Sequence, residues 1–278
     1  MNGTAVPRTA VVTDSSACLP DAVAARLPIR VLPIGIHLPD RDLHDGMAEA
    51  GPAVYEALRS GRAVKSSAPT AAEYLHSIEE AGADEVLVVT PAREFTGMYR
   101  SASAAAQIAG RPVHVLDCRT AAAAQGLVVL AAAEEAQAGG NAADVSAVAE
   151  DAARRAELVA ALDGVGYLRQ SGRVPPFALE LARRLGVRPV FRFRDGQAER
   201  VGVPRSPDAA LRRIRSEWAA RSGRSGGRSA VFHAQAAPRA EALARLLGRP
   251  MFIVEFSPSM GIHTGPGVVG VAWLRPTG

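Results

Sequence analysis

The chain has 278 residues, of which 48% are hydrophobic and 5% aromatic, and its formal net charge is +4. This length suits one large or two ordinary domains, and the hydrophobic fraction is sufficient for a sizeable core. The mild charge and the scarcity of aromatic side chains argue against nucleic acid as a partner, because nucleic-acid sites combine basic patches with stacking rings.

The apolar segments are too short for a membrane protein. No run approaches the roughly 18 residues needed to cross a bilayer, and the N-terminus lacks the charged and apolar regions of a signal peptide. The two cysteines, Cys18 and Cys118, lie in different predicted loops and form no disulfide framework. We therefore expect a cytoplasmic protein without a transmembrane segment.

The first 160 residues alternate between predicted strands and helices. Strands are predicted at residues 10–13, 31–37, 86–90 and 113–116, with a polar loop or hairpin at 40–46. Helices are predicted at residues 20–27, 70–80 (from a capping box at Thr70), 97–109 and 125–138. Continuous apolar strands that alternate with helices favour a parallel sheet covered on both faces. We predict an N-terminal three-layer α/β domain over residues 1–160.

The pattern changes near residue 160. A long helix capped by Asp144 and ending at residue 162 is predicted to connect two domains. The pair Asp195-Gly196 predicts a hairpin, and Ser206 followed by Pro207 predicts a helix start. Strands are predicted at residues 187–194, 197–203, 230–233, 251–256 and 268–274. We predict a second α/β domain with a mixed sheet over residues 161–278.

Five loops rich in hydroxyl groups or glycine follow or lie near the predicted strands. They comprise residues 13–16, 66–70, 96–99, 117–120 and 261–270, the last of which holds His263 in a predicted glycine-rich turn. Glycines let a backbone approach a small charged group, and histidine and threonine can donate hydrogen bonds to it. Since ligands of α/β sheets bind at the carboxyl ends of the strands, we expect these loops to converge on one ligand.

Other chemistries match the sequence less well. Residues 265–270 have the spacing GxGxxG, but they open a strand instead of a helix, and there is no Walker A sequence, so we expect no nucleotide cofactor. The sequence contains no GxSxG elbow, which argues against a serine hydrolase. The spacing of four further polar side chains indicates a solvated loop rather than a metal site. These are His37, Asp42, His44 and Asp45.

Seven short segments form an ordered series along the chain. They read TDSSACLP at residues 13–20, DG at 45–46, SSAPT at 66–70, FTGMYRSA at 95–102, LDCR at 116–119, YLRQSGRV at 167–174 and HTGPG at 263–267. In this order they resemble the motifs TDSSxDLP, DG, TSxPS, LSGTYxSA, IDSR, YLxKGGRI and HTGPG of the DegV family, bacterial fatty-acid-binding proteins. The resemblance covers nearly the whole chain.

The resemblance implies two α/β domains with one long-chain fatty acid bound between them. It places the carboxylate against hydroxyls and backbone amides of the TSxPS and SGTY loops, with the HTGPG histidine nearby. The candidate fatty-acid-binding residues are Ser66, Thr96, Gly97, His263 and Thr264. No catalytic residue, metal or cofactor is implied, so the chain is expected to be non-catalytic.

The resemblance also implies a partner, an ATP-dependent fatty acid kinase that phosphorylates the bound carboxylate to acyl phosphate for phospholipid synthesis. Arg205 lies in a segment similar to the family's VRT and is the candidate kinase contact; a solvated arginine is the alternative. Two other functions stay open. One is a hydrolase or transferase that uses His263 with Ser66, and the other is a regulatory module that binds a different carboxylate ligand.

Overall fold

The computed structural model describes residues 8–163, 167, 188–222 and 227–277. Over these residues the chain forms three sheets, and helices cover their faces. The fold is α/β, with a parallel sheet in the N-terminal half and a mixed sheet in the C-terminal half, as the sequence predicts.

The first sheet is parallel and four-stranded, in the order β2-β1-β6-β7. Its strands are β1 (Thr9–Asp14), β2 (Ile29–Leu32), β6 (Glu85–Thr90) and β7 (Val113–Asp117). Helices α3 (Ala71–Glu79) and α4 (Met98–Ile108) cover one face, and α5 (Ala122–Gln137) and α6 (Ala142–Arg155) cover the other. Because strand side chains alternate, Val86 and Val88 pack with α3 and α4, whereas Leu87 and Val89 pack with α5.

A small antiparallel sheet, in the order β4-β3-β5, lies beside the first. It contains β3 (Gly35–His37), β4 (Asp42–His44) and β5 (Lys65–Ser67), and α2 (Ala50–Arg59) connects the last two strands. The single strand predicted at residues 31–37 is therefore wrong. Pro33, which has no N–H to donate, separates β2 from β3, and the chain changes sheet at this point. Helix α1 (Asp21–Ala24) is also shorter than the predicted helix over residues 20–27.

The second sheet is mixed and six-stranded, in the order β10-β9-β8-β13-β11-β12. Its strands are β8 (Ala156–Ala161), β9 (Val190–Arg194), β10 (Gln197–Gly202), β11 (Ser229–His233), β12 (Phe252–Glu255) and β13 (Val269–Leu274). Helices α7 (Pro207–Ala219) and α8 (Ala237–Leu247) cover its outer face. The predicted hairpin turn is confirmed, since Asp195 and Gly196 both have positive φ, at 51° and 75°.

The long helix predicted to end at residue 162 is wrong. Helix α6 ends at Arg155, and residues 156–161 form β8, an interior strand of the second sheet. Asn141 caps α6 by accepting the N–H groups of Ala143 and Asp144, so Asp144 lies in the first turn and is not the cap. The sequence-based domain boundary at residue 160 falls inside β8.

Helix α5 joins the two halves into one core. It packs against β1 and β6 of the first sheet and against β8, β11 and β13 of the second. Twelve of its 16 residues are buried, and most of these are alanine or valine. A helix that is apolar all round is buried on all sides, and small side chains let both sheets approach it. No helix in the described ranges is long and apolar enough to cross a membrane.

Candidate functional site

A cavity of about 530 Å³ lies where the three sheets meet. On the side of the parallel sheet it is lined by residues that follow strands, including Ser16 after β1, Pro91 after β6 and Ala121 after β7. This is the strand end at which ligands of such sheets bind. The opposite wall comes from the second sheet and is apolar. Its larger side chains are Leu158, Leu162, Phe191, Phe193, Phe232 and Phe256.

Polar side chains that line the cavity come from distant parts of the chain. They are Ser16, Ser66, Thr96, Ser259, His263 and Thr264. Ser66 Oγ and His263 Nε2 are 3.0 Å apart and hydrogen-bonded, although the two residues are 197 positions apart in the sequence. His263 is exposed and Ser66 is half-buried, so this pair lies at the mouth of the cavity.

His263 and Thr264 lie in the last turn of a short helix, α9 (Pro258–Thr264), and the predicted glycine-rich turn is wrong at this point. The helix ends at Gly265, which has a φ of 74°. A Cβ on Gly265 would lie 2.0 Å from Cδ2 of Tyr167, so only glycine fits there. Gly265 thus ends the helix that carries His263, and His263 does not lie in a glycine-rich loop.

The N-terminus of α4 adjoins the cavity through Thr96. Gly97 is the N-cap residue, and no side chain caps the helix. The first N–H groups of a helix have no partner within it, and the helix dipole favours an anion at that end. Gly97 itself is exposed and does not line the cavity, and a Cβ there would meet only Arg100 Nη2 at 3.9 Å.

Asp45 holds the beginning of α9. Its carboxylate accepts the backbone N–H of Ser259 at 2.9 Å and the hydroxyl of the same residue. It also accepts the Ser15 hydroxyl at 2.6 Å, and Ser15 Oγ accepts the N–H of Ile34. Asp45 is only 3% exposed, so the sequence-based assignment of this residue to a solvated loop is wrong.

Asp14 lies beneath the cavity in a second buried polar network. Its carboxylate accepts hydrogen bonds from the backbone and side chain of Ser16, which lines the cavity, and from Gln125 at 3.2 Å. Burial raises the pKa of Asp14 to about 6, although the hydrogen bonds from Ser16 and Gln125 act in the opposite direction. Across the described ranges, no three or more His, Cys, Asp or Glu side chains are grouped to hold a metal ion.

A second connection between the halves lies at the hairpin turn. The Gly196 N–H donates to the carbonyl of Arg119 at 2.7 Å, and the Arg119 side chain donates to the carbonyl of Asp195. The rings of Phe95 and Phe193, both lining the cavity, meet edge to face at 5.5 Å. The two halves therefore contact each other on one side of the cavity through the hairpin turn and the Phe95–Phe193 pair. On the other side they contact each other through the hydrogen bonds between Asp45 and Ser259.

Four of the five fatty-acid candidates line the cavity, namely Ser66, Thr96, His263 and Thr264. Arg205 lies elsewhere. It is exposed in the connection between β10 and α7, where its carbonyl accepts from Arg188 at 3.2 Å. The helix start predicted at Ser206 is confirmed, because its Oγ accepts the Ala209 N–H at 3.2 Å. Residues 168–174 of the YLxKGGRI-like segment lie outside the described residues.

Sequence reasoning missed two kinds of cavity residue. The first is Ser259, which is buried; Ser16, also buried, lies in the loop at residues 13–16 that the sequence predicts near the ligand. Ser259 follows a Ser-Pro pair, which is a helix-start signal that could have placed it in the first turn of α9. The second is the aromatic wall, which no local pattern separates from ordinary core residues.

Comparison with known proteins identifies the family. The profile of the DegV family, described as uncharacterised proteins, matches residues 8–276. The chain belongs to the DegV family. The DegV domain-containing protein SCO2569 of Streptomyces coelicolor is 34% identical over 271 residues, which cover 94% of this chain and 96% of that protein.

Solved DegV structures share the fold over almost the whole chain. A Thermus thermophilus DegV family protein, described by its fatty acid binding, superimposes with a TM-score of 0.86 at 26% identity. The alignment covers 97% of this chain and 100% of that one. DegV of Bacillus subtilis, described as a fatty acid binding protein, superimposes with a TM-score of 0.84 at 22% identity, covering 97% and 100% of the chains. At that identity the likeness establishes the shared fold.

Proposed function

We propose that this DegV protein binds one long-chain fatty acid in the cavity between its two halves. The observation that carries the proposal is the form of the cavity, in which a wall of aliphatic and aromatic side chains leads to a mouth with hydroxyls and an imidazole. Its volume of about 530 Å³ lies within the range of roughly 300–1,000 Å³ typical of small-molecule sites. The fatty acid binding of the Thermus thermophilus relative supports the same ligand class.

Burial of the acyl chain would provide most of the affinity. About 15 methylenes at roughly 0.8 kcal/mol each contribute on the order of 12 kcal/mol before the costs of association. The carboxylate then needs only orientation, which Ser66, Thr96 and the amides at the start of α4 would supply as neutral donors. Among the described residues no arginine lines the cavity. The negative charge of the carboxylate would therefore be stabilised by hydrogen bonds from these neutral donors and not by an ion pair.

The bound carboxylate would be presented to a partner enzyme. In this proposal the chain is the non-catalytic subunit of an ATP-dependent fatty acid kinase, and the product is an acyl phosphate for phospholipid synthesis. The exposure of His263 at the mouth supports this arrangement, because the attacking carboxylate oxygen would lie within reach of a phosphoryl donor on another protein. Arg205, on an exposed corner of the second sheet, is the proposed kinase contact.

One observation also favours an enzyme. A serine hydroxyl hydrogen-bonded to a histidine at 3.0 Å is the arrangement of an activated nucleophile and its base, and Ser66 and His263 have it. A hydrolase or transferase acting on acyl esters is therefore the second candidate, and it would use the same cavity.

Analysis of the purified protein separates these functions. Denaturing mass spectrometry of protein expressed in bacteria should give one fatty acid per chain, and added fatty acid should raise the melting temperature of delipidated protein. Turnover of long-chain acyl esters without a partner, abolished by Ser66→Ala, would instead support the enzyme. If no acyl chain is recovered and added fatty acids leave the melting temperature unchanged, the lipid-binding proposal fails and a different carboxylate ligand must be sought.

A further inference from the structure

The small sheet carries a second serine–histidine pair, formed by the exposed side chains of Ser67 and His37. It lies next to the cavity pair of Ser66 and His263. Ser67 Oγ lies 2.9 Å from His37 Nε2, and the other ring nitrogen of His37, Nδ1, lies 2.8 Å from Asp42 Oδ1. The three residues come from β5, β3 and β4, in the spatial order nucleophile, base and acid. Nothing in the proposed lipid-binding function uses them.

The strand register explains how the three side chains meet. In the antiparallel sheet His37 is directly paired with Asp42, and Ser67 is paired with Gly35, which lies two residues before His37 on the same face. A Cβ on Gly35 would lie 2.4 Å from Ser67 Oγ and 3.6 Å from His37 Nε2. The absence of a side chain at Gly35 therefore provides the space in which the Ser67 hydroxyl reaches the imidazole.

The site is separate from the cavity. Successive residues of a strand point to opposite faces, and Ser66 lines the cavity whereas Ser67 does not. The side chains of His37 and Asp42 are 44% and 77% exposed, so water and small solutes reach the site directly. The cavity pair and the outer trio therefore share strand β5 but have different surroundings.

We propose that Ser67, His37 and Asp42 form a nucleophilic site that transfers and hydrolyses the acyl groups of small activated esters. The acceptor Asp42 Oδ1 fixes the proton of the imidazole on Nδ1, which leaves Nε2 free to accept the proton of Ser67. This is the division of roles that identifies such a trio by geometry, independent of the order of the residues in the sequence.

The reaction follows from these roles. Ser67 Oγ bonds to the ester carbonyl carbon while its proton passes to His37 Nε2, and the carbon–oxygen bond to the alcohol breaks as His37 returns that proton to the leaving oxygen. Water then attacks the acyl-serine, gives one proton to His37, and releases the carboxylic acid as Ser67 Oγ regains its proton. The open surroundings predict a low affinity for substrate, so small esters with good leaving groups are the expected class.

A fluorophosphonate reagent tests the proposal directly. It should phosphonylate Ser67 with loss of fluoride, and peptide mass mapping should place the added mass on this residue. Ser67→Ala should abolish that labelling, and His37→Gln should slow it by roughly 100-fold, at the lower end of the range for general-base catalysis. The matched control is Ser66→Ala, which removes the neighbouring hydroxyl on the cavity side and should leave labelling of Ser67 unchanged.

Gly35→Ala makes the test specific for geometry. It keeps all three residues but places a methyl where Ser67 Oγ lies, so the hydroxyl must rotate away from His37. Fluorophosphonate labelling of the protein, and its hydrolysis of 4-nitrophenyl acetate, should fall to the level of Ser67→Ala. Fatty-acid binding by Gly35→Ala and by Ser67→Ala should match that of the wild type. Labelling of Ser66 instead of Ser67, or equal rates for wild type and Gly35→Ala, would overturn the proposal and leave the trio as a hydrogen-bonded surface cluster.

Discussion

Asp45 caps the helix that carries His263, although the residue it caps, Ser259, lies 214 positions away in the sequence. The Asp45 carboxylate accepts the Ser259 N–H at 2.9 Å, and the helix has no cap of its own because the Ser257 side chain makes no such bond. A carboxylate at this end also interacts favourably with the helix dipole. The position of His263 over the cavity mouth therefore depends on a residue of the small sheet's β4–α2 connection.

We expect Asp45→Ala to destabilise the protein and to weaken fatty-acid binding. The substitution leaves a buried N–H and two hydroxyls without their acceptor, which costs about 1–3 kcal/mol of unfolding free energy. Denaturant unfolding and a fatty-acid titration would measure the two effects. Asp40→Ala, at an exposed aspartate before β4, is the matched control and should change neither.

Asp45→Asn separates capping from charge. An asparagine keeps one oxygen for the Ser259 N–H, so it should recover part of the stability that alanine loses. If alanine, asparagine and the Asp40 control all behave like wild type, the position of α9 does not depend on Asp45.

The parts of the fold that the sequence predicted depend on local signals. The Thr70 capping box, the positive-φ pair Asp195-Gly196 and the Ser206-Pro207 helix start each involve only a few consecutive residues. In each case the hydrogen bond or dihedral angle that the sequence indicates is formed within the same turn. Such features do not depend on what packs against them.

The errors arise where long-range packing decides. Residues 156–161 follow a helix and contain three alanines, so their local preference continues the helix, yet all six are buried in an interior strand of the second sheet. Asp45 belongs to the DG motif, but its partner Ser259 is 214 residues away and no spacing rule connects them. The resemblance names four residues that line the cavity, whereas the aromatic wall can be recognised only once the second sheet is placed.

Removal of a hydroxyl at the cavity mouth should weaken binding of the carboxylate. Ser66→Ala or Thr96→Ala removes one donor, which should cost about 0.5–1.5 kcal/mol of binding free energy, or more if the carboxylate keeps no replacement donor. Titration of delipidated protein with a fatty acid measures the loss. Ser67→Ala, whose hydroxyl belongs to the adjacent residue outside the cavity lining, is the matched control. Equal affinity for Ser66→Ala and Ser67→Ala would place the carboxylate elsewhere.

His263→Ala should separate binding from phosphorylation. The histidine lies at the exposed mouth and is hydrogen-bonded to Ser66, where it can assist charge development as the carboxylate attacks a phosphoryl group. We therefore expect acyl phosphate formation with the partner kinase to fall more than fatty-acid affinity does. Losses of the same size in both assays would make His263 a binding residue only.

Stability should depend on pH through Asp14. Burial raises its pKa from 3.8 to about 6, so the folded state binds this proton more tightly than the unfolded chain does. The stability contributed by protonated Asp14 is complete below pH 4 and is lost as the pH rises through about 6, a change of up to about 3 kcal/mol. Asp14→Asn cannot ionise, so its stability relative to wild type should rise across this interval.

Urea unfolding of both proteins at pH 4, 5, 6 and 7 measures this difference. Asp21→Asn, at an exposed aspartate in α1, should follow the wild-type profile and serves as the control. A constant difference between wild type and Asp14→Asn at every pH would show that Asp14 titrates with the same pKa in the folded and unfolded states.

Arg205 should affect the partner kinase and leave the lipid unaffected. It is exposed between β10 and α7 and does not line the cavity. Its backbone is held by the hydrogen bond from Arg188 to its carbonyl and by the helix cap at the next residue, Ser206. An exposed positive charge on a backbone held in this way is suited to an acidic surface or a phosphate on another protein, and such contacts mainly accelerate docking. Arg205→Glu should therefore leave fatty-acid affinity intact while slowing acyl phosphate formation, most strongly at low salt, where charges are least screened.

The matched control is Arg249→Glu, which makes the identical charge change at an exposed arginine before β12, at the opposite edge of the same sheet. It should leave the kinase reaction unaffected. If both variants slow the reaction equally, net charge is responsible; if neither does at low salt, Arg205 is a solvated arginine.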